Sequence, residues 1–190
     1  MATLPAIPQR YTGPAIAFHW IIAALIACNL ILIWTVDSFP KDWERPAIDL
    51  HKSIGITVLL LALMRLIWRQ THTPPPLPTS YPKIERTGAH AAHILLYVIM
   101  IGLPFTGWMH DSAFKLAAQH PLKLYGIVPW FRIPAIQNLP QPEKEHWHAV
   151  FFQWHGALAY ALYVLFVLHV AGALKHQLWD RKPELQRMWP

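Results

Sequence analysis

A single cysteine, Cys28, stands in a chain of 190 residues, so no intramolecular disulfide can form and no cysteine-based metal site can be assembled. Charge is also scarce. Asp, Glu, Lys and Arg make up 14% of the chain against 54% hydrophobic residues, a balance too apolar for an ordinary soluble domain. The formal charge of +6 is scattered around apolar runs without a sustained basic face, which argues against nucleic-acid binding. No phosphate loop, dinucleotide fingerprint or enzyme nucleophile motif occurs. The first apolar run ends in "WTVDSFPK", with no small-residue cleavage site, and is expected to be a retained span and not a signal peptide. With no internal repeat and no composition break, residues 1–190 are expected to form one domain.

What the sequence has in quantity is long apolar stretches. Four of them, about 15–36, 50–69, 88–109 and 149–178, are long enough to cross ~30 Å of hydrocarbon as helices. The fold class expected is therefore an all-α integral membrane protein, a bundle of four transmembrane helices. Between the second and third lies "THTPPPLPTSYPK", whose prolines forbid helix and enforce a stiff extended connection. The connection between the third and fourth, roughly residues 110–148, is the one long loop. An even number of spans puts both termini on one side. Nine of the sixteen Lys and Arg residues fall on that side, which predicts cytoplasmic termini.

Twelve histidines are the second abundance, and imidazole inside a membrane is costly enough to mark function. His72, His120 and His146 fall in loops and His110 at a helix end, where solvated surface positions are expected. His155 and His169 differ. Fourteen residues apart, they are separated by nearly four full turns at ~3.6 residues per turn, so both face one way, ~21 Å apart along the axis. Depth then pairs His169 with His19 near the cytoplasmic side, and His155 with His51 near the outer side. Two imidazoles at one depth on different helices are what bis-His haem ligation needs, with the two axial ligands on opposite faces of the macrocycle. Gly55, Gly156 and Gly172, near these histidines, would let a macrocycle approach the backbone. Two other readings stay open at this point: interhelical hydrogen bonding or snorkelling of the imidazoles, and zinc, which usually wants three or four converging ligands.

The pieces "FHWI", "LHKSIGITVLLLALMRLIWR", "PPPLP", "GAHAAHILLYVIMIGLPFTGW", "WHGALAY" and "LHVAGALKHQLW" together resemble the bacterial di-haem cytochrome b561 family, over most of the chain from Phe18 onward. The resemblance implies two haems b between the helices, with His19, His51, His155 and His169 as axial iron ligands. It implies a multi-pass protein of the bacterial inner membrane that exchanges electrons with ubiquinone. Some members resemble superoxide oxidases, which makes superoxide:ubiquinone oxidoreductase the sharpest expected function. Lys115, Lys123, Arg132 and Lys144 on the outer loop are candidates for attracting that small anion. The alternatives are a general quinol-linked electron carrier with an outer redox partner, the cytochrome b subunit of a larger dehydrogenase or hydrogenase, and a haemless transporter. His90, His93, His176, Arg65 and Lys52 are candidate contacts for quinone or haem propionates; no catalytic residue is assigned.

Overall fold

The computed structural model describes residues 10–78, 80–117 and 119–190. Four long helices carry it. They are α1 (Gly13–Thr35), α2 (Lys41–Thr71), α3 (Lys83–Ser112) and α5 (Gln141–Leu174), all apolar and long enough to cross a membrane. A short helix α4 (Pro134–Gln137) precedes α5, which ends in a π turn over Lys175–Trp179.

Prolines set where the helices begin. Pro40, Pro82 and Pro140 occupy the N-cap positions of α2, α3 and α5 in extended conformation, and a ring that fixes φ near −65° without an N–H is compatible with that boundary. The helices start earlier than the apolar runs do. The second begins at Lys41 where 50 was expected, running through Pro46, and the fourth begins at Gln141 where 149 was expected. Hydrophobicity measures only the part in hydrocarbon. The added turns are polar and held by local pairs: Lys41 with Glu44 at 3.1 Å, Arg45 with Asp49 at 3.1 Å, and Gln141 with Glu145 at 3.1 Å.

Helix packing follows chain order from α1 to α2 to α3, and α3 then packs on α5. A small core of Ile22, Ile54, Val58, Ala62 and Met100 joins the first three. Helix α5 buries only Phe151 and Leu162 of its own residues and makes no comparable approach to α1 or α2. Between α1 and α5, Trp34 Nε1 donates to Tyr163 Oη at 3.0 Å.

The long loop is more ordered than its sequence suggests. Strands β1 (Lys123–Leu124) and β2 (Val128–Pro129) pair antiparallel around a turn in which Tyr125 (φ 53°) and Gly126 (φ 73°) are both left-handed. Tyr125 is bonded to α2 twice: its N–H donates to Ser53 Oγ at 2.9 Å and its hydroxyl meets Thr57 Oγ1 at 2.7 Å. Contacts of this kind hold a non-glycine residue in a conformation that is otherwise unfavourable. On the opposite face the chain ends meet. Arg187, 5% exposed, donates to the Pro75 and Pro76 carbonyls at 2.9 Å each, and its own carbonyl accepts from Tyr11 N–H at 3.1 Å.

Candidate functional site

The four histidines that depth arithmetic selects meet in pairs, at two levels. His51 on α2 and His155 on α5 have ring centroids 6.2 Å apart, with planes at 81°. His19 on α1 and His169 on α5 have ring centroids 6.2 Å apart, with planes at 64°. No hydrogen bond joins either pair among the described residues. The spacing has a chemical meaning. A metal–imidazole nitrogen bond is ~2.0 Å, and the ring centre lies ~1.2 Å behind the nitrogen, so two rings flanking one metal have centres ~6.4 Å apart. Both pairs come within a few tenths of an ångström of that figure. Both also join helices, α1 with α5 and α2 with α5, whose backbones come close at few points.

The pair near the loop is oriented from behind. His155 Nδ1 donates to the Leu103 carbonyl at 2.9 Å, with Thr106 Oγ1 3.4 Å away. That bond commits Nδ1 as the donor and leaves Nε2 as the free ligand nitrogen, the usual support of a metal-bound imidazole. The backing wall is Gly107, where a Cβ would lie 3.0 Å from His155 Cε1 and 3.2 Å from Nδ1. Any larger residue would press on the ring. Across from it, His51 Nδ1 is buried without a hydrogen-bond partner, the Asn29 main chain lying nearby but outside bonding geometry. These residues fit an iron porphyrin. Gly156 and Gly172 face open space, whereas Gly55 faces Pro104 Cβ at 3.9 Å.

Around the pair near the termini the structure gathers more imidazole and cation. His93 on α3 lies 5.7 Å from His169, ring centre to ring centre. Arg65 and Arg69 sit over the Tyr97 ring at 5.5 and 5.8 Å, with Arg65 in electrostatic reach of His19, His93 and His169. His90, one turn toward the terminal face, lines a cavity together with His93.

Other expected residues are placed elsewhere. Lys52 binds Asp111 at 2.8 Å and Asp49 at 3.2 Å. Arg132, expected to help attract a small anion, is instead buried, donating to Asp111 at 2.8 Å and to the Ala117 and His120 carbonyls. Its sequence neighbourhood is loop, and only the fold brings Asp111 to it. His110, expected to be solvated, is partly buried, with its ring 3.9 Å from that of His148 and its Nε2 unpartnered. His176 is stacked on Tyr81 at 4.6 Å and bonded to Asp180 at 2.7 Å. Lys175 Nζ lies between Glu85 (2.7 Å) and Asp180 (3.1 Å), supplying that acidic cluster with an internal cation and, together with His176, holding Asp180 below the usual carboxylate range. Burial and the hydrogen bond to Glu184 push the Tyr81 phenol above its usual range.

Comparison with known proteins places the chain in a family. The family model described as prokaryotic cytochrome b561 matches residues 10–190. Cytochrome b561 homolog 2 of Escherichia coli (strain K12) is 34% identical over 184 residues, 95% of this chain and 92% of that protein. The probable superoxide oxidase CybB of Yersinia pestis is 24% identical over 185 residues, 96% of this chain and 97% of that protein.

Proposed function

Because this chain belongs to the prokaryotic cytochrome b561 family of membrane electron-transfer proteins, we propose that it is a two-haem wire in which His19 with His169, and His51 with His155, each hold one haem b. The family implies haem b, and the four apolar helices make the chain a multi-pass protein of the bacterial inner membrane. The observation that carries the reading is the repeated 6.2 Å separation of facing imidazoles on helices that otherwise stand apart.

Haem b, when bound, supplies reversible one-electron chemistry at iron. The chain's own residues do the rest. His19 with His169, and His51 with His155, would each hold one haem iron between them, which would leave no open position for oxygen or a substrate. His155 is kept in one tautomer by the Leu103 carbonyl. Arg65 and Arg69 place positive charge on the terminal side, where haem propionates would need it. The terminal face is cytoplasmic by the balance of Lys and Arg.

The specific reaction we assign is superoxide:ubiquinone oxidoreduction. Overall, two superoxide anions lose one electron each to give dioxygen, and one ubiquinone takes two electrons and two protons to give ubiquinol. Support comes from the relative named probable superoxide oxidase and from Lys115 and Lys123, exposed on the loop face. His93, beside His169, supports a quinone-carbonyl donor at the other end.

The test is haem per chain and the oxidised and reduced visible spectra for wild type and for His19→Ala, His51→Ala, His155→Ala and His169→Ala. Two haems b in wild type are expected, each change damaging the site of its own pair. Full haem retention without these histidines would overturn the ligand set. With that established, an enzymatic superoxide source should drive ubiquinone reduction by the protein in liposomes. Two intact haems with no superoxide-dependent reduction would leave a general quinol-linked carrier.

A further inference from the structure

A cavity of about 450 Å³ opens at the terminal face, between the proline-rich connection (Pro74, Pro75, Pro76 and Leu77) and the first turns of α3. Three permanent cations line it, Arg69, Lys83 and Arg86, and so do His90 and His93 and the hydroxyl-bearing Tyr11 and Thr87. No carboxylate does among the described residues. The nearest acid in sequence, Glu85, is held by Lys175 at 2.7 Å.

Two further features point to an anion. Arg86 Nε is buried without a hydrogen-bond partner, an N–H donor that has given up water for nothing in the protein. Lys83 and Arg86 both stand in the first turn of α3, whose N-cap Pro82 offers no side-chain cap. The helix dipole is positive there and disfavours cations. Two cations and an uncapped helix start, together with an orphaned guanidinium N–H, form an arrangement that a bound anion would stabilise.

We propose that this cavity binds a phosphate group, held by Lys83 and Arg86 with Arg69 on the opposite wall. Its position at the membrane boundary on the side we read as cytoplasmic favours an anionic phospholipid headgroup as the source. Basic pockets between helices at that level take such headgroups, and guanidinium matches phosphate by paired N–H donors. The volume far exceeds the ~30 Å³ share of one water, leaving space for the phosphate and its ester arms. The cavity reaches His93, 5.7 Å from His169, so haem content must be read beside lipid retention to tell the phosphate site from the haem site.

The experiment uses the full-length holoprotein, with haem per chain counted alongside. Phospholipid retained through extended detergent washing is measured by native mass spectrometry, with cardiolipin and phosphatidylcholine offered in turn. Inorganic phosphate is titrated separately. Wild type should retain one anionic phospholipid per chain. Lys83→Gln, at an exposed position, and Arg86→Gln should each lower retention by about tenfold, the cost of one charge-assisted hydrogen bond. Arg86→Lys should restore part of it, and haem content should not change. Binding of inorganic phosphate with the same dependence on Lys83 and Arg86, and no lipid retained, would keep the phosphate site but assign it to a soluble anion. Retention and phosphate binding both indifferent to Lys83 and Arg86 would overturn the proposal. So would absence of both with haem lost in Lys83→Gln, which would give the cavity to haem propionates.

Discussion

Gly107→Ala should unseat one haem and spare the other. The added methyl would lie 3.0 Å from His155 Cε1 and 3.2 Å from Nδ1, whereas relaxed carbon contacts are ~3.5–4.0 Å. The ring must then give by a few tenths of an ångström, while its Nδ1 is tied to the Leu103 carbonyl at 2.9 Å. It cannot keep that bond and its aim at His51 together. Losing such a supporting bond costs metal affinity ~10–100-fold, or about 1.4–2.7 kcal/mol. Helix stability moves the other way, since Ala is favoured over Gly inside a helix by ~1 kcal/mol. A fall in haem therefore reports the site and not the helix. The assay is extracted haem per chain with reduced-minus-oxidised spectra. Gly102→Ala, whose Cβ would meet Leu158 Cδ1 at an ordinary 3.5 Å, serves as control. Two full haems with an unaltered spectrum in Gly107→Ala, or loss of the terminal-side haem, would refute the assignment of His155 and its backing wall.

Other outcomes test the frame around the site. Asp111→Ala leaves Lys52 and Arg132 facing each other without their shared carboxylate; breaking a buried pair in this way should cost about 3 kcal/mol, read as a lower melting temperature, and an unchanged melt would contradict it. Tyr125→Phe deletes the 2.7 Å contact with Thr57, worth about 1 kcal/mol, and should speed proteolysis of the hairpin without altering haem content. Tyr81 has a folded pKa raised by burial and by Glu184, so its contribution to stability is complete below the unfolded value of ~10 and declines as pH rises beyond it. Alkaline melts should show that decline in wild type, and Tyr81→Phe should lack it; parallel curves would exclude the phenol as the cause.

The histidine pairs were legible because helix geometry is local. A rise of ~1.5 Å per residue turns sequence position into depth, and depth alone matches His19 with His169 and His51 with His155. Helix ends were less legible because the polar turns at Lys41–Asp49 and Gln141–Glu145 carry no apolar signal; their ion pairs and the prolines before them decide. The support of His155 was not legible at all. Leu103, Thr106 and Gly107 lie about fifty residues before it, and a glycine in a membrane helix announces nothing until the partner helix is known. Arg132 illustrates the same limit: sequence gives a loop cation, while the tertiary fold buries it on Asp111. Gly55 was misleading in the other direction, since its open side meets Pro104.

The joining of the chain ends bears on how the protein is made. Tyr11 leaves the ribosome well before Arg187, yet the N–H of Tyr11 bonds the carbonyl of Arg187, and Trp20, next to His19, donates its indole N–H to the Met188 carbonyl at 2.6 Å. The surroundings of His19 thus stay unfinished until Arg187 and Met188 have been made, whereas the partners of His51 can assemble once α5 has entered the bilayer. Haem loading should run in order, the His51–His155 level first.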